Sequence, residues 1–539
     1  MSLRGTGRGG PIRRLIEMVS VLGSAGFLSP SYARTVRAAM ETWGATVAGG
    51  FAAAAARVPD TLAVIDETGA TTFGQLEARS NAVAHGLAAM GVRAGDAVGL
   101  LARNHVGFVE ASIALAKVGA NTLLLNTGFA SRQLAEVMER EGAQVVIYDE
   151  EFASIVEEGA GDRRRVLAWH TAAGEVPTLA QLAQAHSSDP PAPPAQHGRT
   201  TVLTSGTTGA PKGAKRAPKS ASVDTLVGIL GRIPLRVGDT TFVAAPMFHS
   251  WGGVHLVMGG TLGCTLVMRR RFDPEDTLAT IARYRPRTVA VVPVMMQRIL
   301  ELPEDVRRRY DTSSLEVLAA SGSALPGELA LRWMNAFGDN LYNFYGSTEV
   351  AQASIAMPDE LRVAPGTAGR PPRGVVVKII DPEGRELPAG QTGRIFVGNE
   401  AQFDGYTGGG GKEIVGGLMS SGDVGYFDQN GLLFVTGRDD EMIISGGENV
   451  FPKEVEDLLA DHDQVADAAV IGVPDEQFGQ RLLGFVVRRP GATTTEEDLK
   501  THVKEHLARY KVPREIRFLD ELPRNPTGKV LKRVLRDLA

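Results

Sequence analysis

The sequence predicts an α/β protein with a large amino-terminal domain, made of two parallel-sheet α/β subdomains and a small β-barrel, followed by a smaller α+β carboxyl-terminal domain. Three observations predict this class. The chain has 539 residues, which is too long for a single hydrophobic core. Strand-like apolar runs alternate with helical ones in two regions. After Pro371 the pattern changes to short strands broken by glycine and proline.

Each of the two alternating regions predicts a parallel sheet with helices on its faces. In the first region the predicted strands are 97–102, 121–125 and 144–148, and the helices between them are 106–117 and 131–140. In the second region the predicted strands are 241–244, 264–268, 288–292, 315–319 and 340–344. Between the two regions lies a proline-rich stretch, 189–195, which we expect to be an exposed linker.

The rest of the chain predicts smaller units. Short alternating runs at 375–380, 393–397 and 432–435 predict the small antiparallel barrel, and a final α+β unit starts at about residue 441. We therefore expect three parts, which are an amino-terminal helical extension (1–45), a large domain (46–438) and a carboxyl-terminal domain (439–539).

Composition restricts the function classes. The 43% hydrophobic and 22% charged residues, with 63 glycines, are typical of a soluble globular protein. The formal charge of −5 and the lack of a long Lys/Arg block argue against nucleic acid as the main partner, so a small-molecule ligand is expected. Cys264 is the single cysteine and cannot form an internal disulfide, which indicates a reducing compartment such as the cytoplasm.

The amino-terminal extension contains an apolar stretch, 15–28, directly after Arg13 and Arg14. Polar residues and glycines interrupt this stretch, and it is shorter than the roughly 20 apolar residues that a spanning helix requires. We therefore reject export and membrane insertion. Two placements stay open: a helix packed on the main domain, which we favour, and a helix on a membrane surface with Arg13, Arg14 and Arg37 near the lipid headgroups.

A loop at 204–213 has the composition of a polyphosphate site. It holds four hydroxyls, three glycines and one lysine in ten residues. Glycines let backbone N–H groups approach an anion, hydroxyls donate further hydrogen bonds, and Lys212 supplies a positive charge. The order of residues is not that of a Walker A loop, and a flexible glycine-rich turn is the alternative. The candidate phosphate-binding residues are Thr204, Ser205, Gly206, Thr207, Thr208, Gly209 and Lys212.

This loop resembles the signature loop of the adenylate-forming, or AMP-binding, superfamily, which includes acyl-CoA synthetases, the adenylation domains of peptide synthetases, and luciferases. The other motifs of the family follow in order, so the resemblance extends from about residue 50 to residue 539. It implies an AMP-binding domain at 46–438 and a mobile AMP-binding carboxyl-terminal domain at 439–539. It also implies that ATP and coenzyme A are co-substrates and that Mg²⁺ is the metal.

The segment 343–349 closes the second alternating region, at the carboxyl end of a predicted strand, where open parallel sheets bind ligands. The resemblance implies that Tyr345 stacks on adenine, that Thr348 contacts the α-phosphate, and that Glu349 holds Mg²⁺, a cation that prefers oxygen ligands. Gly346 and Ser347 are also candidate nucleotide-binding residues. Taken alone, the Ser-Thr-Glu triplet would be typical of a helix cap, which is itself an anion site.

Two further segments resemble the nucleotide-binding motifs of the family. Gly322, Ser323 and Ala324 correspond to a stretch that passes along the adenine. Asp423 resembles the carboxylate that accepts both ribose hydroxyls, and Arg438 resembles its partner near the ribose. Each segment alone would be an ordinary surface turn.

The carboxyl-terminal motifs imply the conformational cycle of the family. Asp440 falls at the hinge about which the last domain rotates between half-reactions. Gly446 and Gly447 lie in a loop that resembles the pantetheine contact of CoA ligases. Lys529 matches the lysine that contacts the carboxylate and the α-phosphate during adenylation, so we take it, with Lys212 and Glu349, as catalytic.

The segment around His249 resembles the gate between the acyl pocket and the CoA tunnel, and Trp251 is assigned to the same passage. Neither His249 nor Ser250 is the acidic residue that peptide-synthetase domains use to hold a substrate amino group. The stretch 251–263 is apolar and rich in glycine, which favours an uncharged hydrophobic tail. The segment 345–347 contains no tryptophan of the kind that closes the pocket of short-acid enzymes, so acetate is not expected.

These observations favour an ATP-dependent synthetase that converts a medium- or long-chain carboxylic acid to an acyl-adenylate and then to the CoA thioester. One alternative is an acyl-AMP ligase that passes the acyl group to a carrier protein. The other is a non-catalytic acyl- or nucleotide-binding paralogue. The retention of all the charged motif residues argues against the second alternative. We expect a cytoplasmic protein, with peripheral membrane contact as the open alternative.

Overall fold

The computed structural model of the protein describes residues 11–171, 174–204, 212–215, 223–445, 448–475, 479–526 and 528–539. Its architecture contains two large mixed sheets covered by helices, a smaller open antiparallel sheet, and a carboxyl-terminal α+β domain. The predicted fold class is therefore confirmed.

The elements up to residue 204 are α1 (Pro11–Ser24), α2 (Pro30–Trp43), α3 (Val47–Arg57), β1 (Leu62–Asp66), β2 (Gly69–Thr72), α4 (Phe73–Ala89), β3 (Ala97–Leu101), α5 (Val106–Val118), β4 (Asn121–Leu124), α6 (Ser131–Arg140), β5 (Val145–Asp149), α7 (Ala153–Gly159), β6 (Arg164–Trp169), α8 (Leu179–Ala185) and β7 (Thr200–Thr204).

From residue 212 to residue 363 the elements are β8 (Lys212–Lys215), α9 (Val223–Leu230), β9 (Thr240–Val243), α10 (Ser250–Leu262), β10 (Thr265–Met268), α11 (Pro274–Tyr284), β11 (Thr288–Val291), α12 (Pro293–Leu300), α13 (Glu304–Arg307), β12 (Val317–Ala320), α14 (Gly327–Phe337), β13 (Leu341–Ser347), β14 (Ala351–Ala356) and α15 (Pro358–Val363).

The remaining elements are β15 (Val376–Ile380), β16 (Gly393–Gly398), β17 (Gly405–Tyr406), β18 (Ile414–Val415), β19 (Leu418–Phe427), β20 (Leu433–Arg438), β21 (Ile443–Ser445), β22 (Glu448–Val450), α16 (Pro452–Ala460), β23 (Val465–Asp475), β24 (Gly479–Arg488), α17 (Glu496–His506), β25 (Glu515–Leu519) and α18 (Lys532–Asp537).

The first large sheet has the strand order β14-β13-β12-β11-β9-β10-β1-β2 within the described chain. Its inner strands are parallel, whereas β2 and β14 pair antiparallel at the two edges. Every residue of β11 and β12 is buried, because helices cover both faces of the sheet. The carboxyl ends of the parallel strands form the edge at which the predicted motifs lie.

The second large sheet has the order β17-β8-β7-β4-β3-β5-β6 in the part of the chain that is described. Here β3 to β7 are parallel, and β8 and β17 extend the sheet in the antiparallel sense. The two sheets do not follow each other along the chain as predicted. The early strands β1 and β2 belong to the first sheet, and β7 and β8 return to the second after the exposed proline-rich stretch.

Most predicted strands agree with the structure within one or two residues, and one differs in a way that bears on the site. The predicted strand 340–344 continues to Ser347, and a turn at 348–350 leads into the antiparallel strand β14. No helix begins after Glu349, so the interpretation of Ser-Thr-Glu as a helix cap is wrong. After the turn, the chain reverses direction and continues as β14, which pairs antiparallel with β13.

The small predicted barrel is an open sheet, a half-barrel. Its order is β15-β16-β19-β18, with β20 also paired to β19, among the described residues. All of these pairs are antiparallel. The carboxyl-terminal domain carries the sheet β22-β21-β24-β23, with β25 parallel to β24 and the helices α16 to α18 around it.

Helix α1 contacts the main domain near its carboxyl-terminal end, and α2 packs against α3 with Tyr32 and Trp43 buried. Val21, Leu22 and Phe27 pack against the core of the first sheet, which fits the favoured placement on the main domain. The other half of α1 is exposed at Leu15 and Ile16. Among the described residues, none of the helices has the length and apolar character needed to cross a bilayer. The boundary after residue 45 stays a prediction.

Candidate active site

Three predicted nucleotide-binding side chains meet where β13, β19 and β20 approach each other. Tyr345 Oη donates a hydrogen bond to Asp423 Oδ2 at 2.6 Å and also lies 3.4 Å from Ser421 Oγ. Arg438 Nη1 lies 3.4 Å from Asp423 Oδ1. Asp423 and Arg438 are cross-strand partners in the β19–β20 pair, so the antiparallel register itself sets them side by side.

This carboxylate is almost fully buried, with Asp423 only 9% exposed. Burial raises the pKa of Asp423, and the charges of Arg438 and Lys529 oppose that rise. Burial and the neighbouring Asp423 likewise hold the pKa of Tyr345 well above its usual value, so its phenol stays a donor. A buried acceptor with hydrogen-bonding neighbours is suited to fixing the hydroxyl groups of a ligand.

Glu349 follows β13 and lies beside the strand that carries Lys212. Tyr406 Oη donates to Glu349 Oε1 at 2.9 Å, and Lys212 Nζ lies 5.3 Å from the centre of the same tyrosine ring. In the described part of the chain, no group of three or more His, Cys, Asp and Glu side chains converges as a metal site. A single carboxylate fits Mg²⁺, which protein sites bind through one or two carboxylates together with substrate phosphates and water.

The segment 322–324 follows β12 at the same edge of the sheet. Gly322 and Ala324 are exposed, and Ser323 is half-buried. Gly322 has a φ of +94°, which favours glycine, and an added Cβ there would lie 3.3 Å from Val292 Cγ1. These residues therefore present open backbone next to the end of β11.

The residues assigned to the acyl passage lie at the start of α10. Ser250 Oγ is 3.2 Å from Thr348 Oγ1, which joins this helix to the 343–349 segment. Trp251 donates its indole N–H to Val291 O at 3.1 Å and packs its ring on Phe344 at 5.1 Å between centroids. Both contacts hold the indole at the carboxyl edge of the first sheet.

His249 immediately precedes α10 and is half-buried. Loss of hydration lowers the pKa of His249 to about 4, so the ring is neutral at pH 7. Its Nε2 atom is buried and has no hydrogen-bond partner among the described residues. A neutral ring with a buried, unsatisfied nitrogen is suited to meeting a polar group of a ligand.

Lys529 lies in a hairpin that reaches the large domain. Asn525 Oδ1 accepts from Lys529 N at 2.9 Å, and Gly528, with φ +78°, forms the turn. The hairpin packs tightly on α12, because a Cβ on Gly528 would lie 2.3 Å from Val294 Cγ1. Lys529 is thereby close enough to Asp423 for its charge to lower the pKa of that carboxyl.

The predicted hinge residue Asp440 lies in a 3-10 turn, Asp439–Glu441, between β20 and β21. Arg438 Nε is 3.1 Å from Asp440 Oδ1, so one guanidinium contacts both the hinge carboxylate and Asp423. The structure thus links the predicted ribose site directly to the predicted hinge.

Part of the predicted site lies outside the described residues. These residues are Ser205, Gly206, Thr207, Thr208, Gly209, Gly446 and Gly447. Thr204 ends β7 and Lys212 begins β8, and the two are paired in the antiparallel register. The two ends of the phosphate loop are therefore adjacent. Gly346 and Ser347 form the last part of β13, opposite β14.

Sequence analysis missed Tyr406 and Phe344. Tyr406 is 57 residues from its partner Glu349, on a two-residue strand within a glycine-rich stretch. No local pattern distinguishes such a tyrosine from a loop residue. Phe344 lies within the recognised 343–349 segment and could have been selected as an apolar residue beside the motif.

Comparisons with known proteins identify the family of the chain. The AMP-binding enzyme family model matches residues 51–407, and the AMP-binding enzyme C-terminal domain model matches residues 454–529. The chain is 33% identical over 492 residues to the fatty acid–[acyl-carrier-protein] ligase ScoC of Streptomyces coeruleorubidus, covering 89% of this chain and 93% of that protein. It is 34% identical over 477 residues to a feruloyl-CoA synthase of an Amycolatopsis species, covering 87% and 94%.

A solved structure is also similar. ATP-bound MatB from Rhodopseudomonas palustris superposes with a TM-score of 0.79 at 27% identity, covering 91% of this chain and 98% of that one. The family models, the relatives and the shared fold all lead to the same conclusion. The chain belongs to the AMP-binding enzyme family and is an adenylate-forming ligase.

Proposed function

We propose that the protein is an ATP-dependent acyl-CoA synthetase that activates a medium- or long-chain carboxylic acid through an acyl-adenylate. The observation that carries the proposal is that the hairpin of Lys529, in the carboxyl-terminal domain, packs on α12 of the large domain, where a Cβ on Gly528 would lie 2.3 Å from Val294 Cγ1. From there the charge of Lys529 opposes the rise that burial causes in the pKa of Asp423. The nucleotide-binding candidates Tyr345 and Arg438 contact the same carboxylate. Attack of a carboxylate on an anionic phosphate requires a positive charge close to the bound nucleotide, and Lys529 would supply it.

In this proposal Asp423 and Arg438 bind the ribose, and Tyr345 lies against the adenine. Lys212 and Lys529 offset the negative charge that accumulates when a carboxylate approaches the α-phosphate. Mg²⁺ brought with ATP would be held by Glu349 and would neutralise phosphate charge. The second half-reaction then transfers the acyl group to the CoA thiol and releases AMP.

The proposed acid is uncharged apart from its carboxylate. Aromatic side chains, Trp251 and Phe344, line the edge of the sheet beside Thr348, and His249 is neutral at pH 7. Such surroundings favour apolar groups and disfavour an ammonium group. A relative that is named as a fatty acid ligase supports an aliphatic acid, and a relative named as a feruloyl-CoA synthase makes aryl acids the necessary comparison.

The experiment is release of pyrophosphate from ATP with a panel of acids, which runs from acetate through C8, C12 and C16 acids to ferulate. We expect the highest kcat/KM with an aliphatic acid of C8 or longer. Asp423→Ala should abolish the signal and serves to exclude a contaminating ligase. The highest kcat/KM with ferulate would contradict the chain-length proposal, and no release with any acid would favour the non-catalytic alternative.

The acyl acceptor needs its own test. A carrier-protein acceptor is the second candidate, because the relative ScoC is named as a ligase for acyl carrier protein. We expect acyl-CoA to form when the purified protein is supplied with ATP, the preferred acid and CoA. Product formation with a phosphopantetheinylated carrier protein but not with CoA would overturn the CoA assignment.

We further propose a cytoplasmic protein that makes peripheral membrane contact through α1. Leu15, Ile16 and Val19 are 55%, 63% and 44% exposed, and Arg13 and Arg14 precede them in the same helix. Apolar side chains beside basic ones are typical of helices that lie on anionic lipid surfaces.

This membrane proposal is tested by sedimentation with vesicles that contain phosphatidylglycerol. The triple change Leu15→Ser, Ile16→Ser and Val19→Ser should reduce the bound fraction several-fold, because roughly 25 cal/mol is lost for each Å² of apolar area no longer buried. The control is Ile414→Ser, which removes an equally exposed side chain, 62%, from another region. Equal binding by the triple variant and the control would overturn the proposal.

A further inference from the structure

The segment 403–407, which carries the edge strand β17 of the second large sheet, joins the phosphate-loop lysine to the proposed metal ligand. The strand β17 pairs antiparallel with β8, so that Tyr406 is opposite Ala214. From this strand Tyr406 Oη donates to Glu349 Oε1 at 2.9 Å. Lys212 Nζ lies 5.3 Å from the ring centre of the same tyrosine, within the range of a cation–π interaction.

The neighbours of Tyr406 fix its ring in this place. Phe403 N donates to the backbone carbonyl of Glu349 at 2.9 Å, and the Phe403 ring contacts the edge of Tyr406 at 4.9 Å between centroids. On the other side Thr407 N donates to Gly213 O at 2.8 Å. Backbone hydrogen bonds therefore join this segment both to Glu349 and to the strand of Lys212. They fix the position of the Tyr406 phenol between these two residues.

Geometry and chemistry assign a role to this tyrosine. We propose that Tyr406 is a positioning residue for metal–nucleotide binding, in which its hydroxyl holds Oε1 of Glu349 and leaves Oε2 for the cation that arrives with ATP. Its ring holds the ammonium of Lys212 beside the phosphate loop. The inference rests on the proposed function of this region as an ATP site, and it adds a residue outside the recognised motifs.

The expected size of the effect follows from metal sites in general. A carboxylate that binds a metal is itself held by hydrogen bonds, and loss of such a partner typically costs about 10- to 100-fold in metal affinity. A purely structural tyrosine would instead stabilise the fold without changing metal affinity. Metal affinity is therefore the measurement that separates the two roles.

The experiment uses the full-length protein with α,β-methylene-ATP, which cannot be cleaved at the α-phosphate, and Mn²⁺ in place of Mg²⁺. Bound Mn²⁺ is measured by paramagnetic resonance, so that no acid substrate or turnover is needed. Tyr406→Phe removes the hydroxyl and keeps the ring, and we expect Mn²⁺ to bind about 10-fold more weakly. The control is Tyr426→Phe, on β19 of the half-barrel, whose ring stacks on Phe434 at 5.2 Å between centroids and which should leave Mn²⁺ affinity unchanged.

A double-mutant cycle tests whether the hydroxyl acts through Glu349. In the Glu349→Gln background, adding Tyr406→Phe should cause no further loss of Mn²⁺ affinity, because the carboxylate is already absent. Tyr406→Leu also removes the ring, and we expect it to weaken metal-free nucleotide binding several-fold where Tyr406→Phe does not.

The outcomes separate this inference from the proposed reaction. Equal Mn²⁺ affinity of Tyr406→Phe and the unaltered protein, an equal loss in Tyr426→Phe, or additive losses in the cycle would each overturn the role of Tyr406. Those results would leave acid-dependent pyrophosphate release intact. Failure of every acid to release pyrophosphate would overturn the proposed reaction, while the Mn²⁺ comparison would still decide the role of Tyr406.

Discussion

Two histidines on or next to α10 each have a buried ring nitrogen without a hydrogen-bond partner among the described residues, and this lowers the stability of the fold in acid. Burial lowers the pKa of both His249 and His255 to about 4 from the usual 6.5. Between these values the unfolded chain binds protons that the folded protein does not. The stability present above pH 6.5 is therefore lost as the pH falls towards 4, by up to about 1.4 kcal/mol per pH unit for each histidine.

We predict that His255→Leu makes this pH dependence shallower. The measurement is the urea midpoint at intervals between pH 7 and pH 4.5, converted to the free energy of unfolding. The control is His170→Asn, because His170 is exposed. A slope for His255→Leu equal to that of the control would show that His255 does not contribute to the acid sensitivity.

At the scale of single residues, the sequence predicts site residues where a suitable side chain lies in a motif and the motifs follow in the order of the family. Tyr345, Asp423 and Arg438 belong to recognised motifs, and they meet in the structure. The hydroxyl of Tyr345 lies 2.6 Å and the guanidinium of Arg438 lies 3.4 Å from the carboxylate of Asp423. Tyr406 was not selected, since its partner Glu349 lies 57 residues away and the intervening strands decide the contact. Residues that act through a distant partner carry no local signal.

At the scale of elements, two glycines of α10 have a packing role that composition alone does not reveal. The apolar, glycine-rich stretch 251–263 predicts an uncharged hydrophobic tail for the acid. An added Cβ on Gly260 would lie 2.6 Å from Phe51 Cδ2, and one on Gly259 would lie 2.6 Å from Leu266 Cδ2. These two glycines let α10 approach α3 and β10, so close packing accounts for glycine at both positions.

We predict that Gly260→Ala destabilises the protein. The new methyl group would overpack the contact with Phe51, at a cost of about 1–3 kcal/mol, which exceeds the roughly 1 kcal/mol that alanine gains over glycine in a helix. Gly253→Ala on the same helix is the control, because its Cβ meets its nearest atom at 3.6 Å. Thermal unfolding should give a lower Tm for Gly260→Ala only, and equal Tm values would contradict this packing account.

The positions of strands are predictable where turns bound an apolar run. The sheet to which each strand belongs is not predictable from the sequence. The runs 121–125 and 264–268 correspond closely to β4 and β10. However, β1 pairs with β10, about 200 residues later, and β7 returns to β4 after the proline-rich stretch. Alternation indicates that a strand exists, whereas its neighbour depends on how whole layers pack.

At the scale of the whole molecule, the structure has one domain contacting the other through the Lys529 hairpin. Pro526 of this hairpin lies near Gly128, and Gln297 Nε2 donates to Ala466 O of β23 at 3.2 Å, so the hairpin and β23 both contact the large domain. This arrangement suits the first half-reaction of the proposed cycle, in which Lys529 is needed. In the proposed cycle, the hairpin leaves before the second half-reaction by rotation at Asp440.

We predict that the two half-reactions can be separated by changing these two residues. Lys529→Ala removes a charge that is needed while pyrophosphate leaves, so adenylate formation should fall by on the order of a hundredfold or more. Transfer from synthetic acyl-adenylate to CoA should continue. Pyrophosphate and acyl-CoA are measured separately, starting once from ATP and acid and once from the adenylate. Equal loss of both steps in a folded variant would contradict the role of this lysine.

Asp440→Pro should have the opposite effect. Proline fixes φ near −65° at position 440 and restricts the preceding Asp439, so it stiffens the linkage about which the carboxyl-terminal domain would rotate. Asp440→Ala is the matched control, because it removes the same contact with Arg438 without fixing φ. We expect adenylate to accumulate and acyl-CoA formation to fall at least tenfold in the proline variant only. If the alanine variant shows the same loss, the ion pair and not the rotation limits thioester formation.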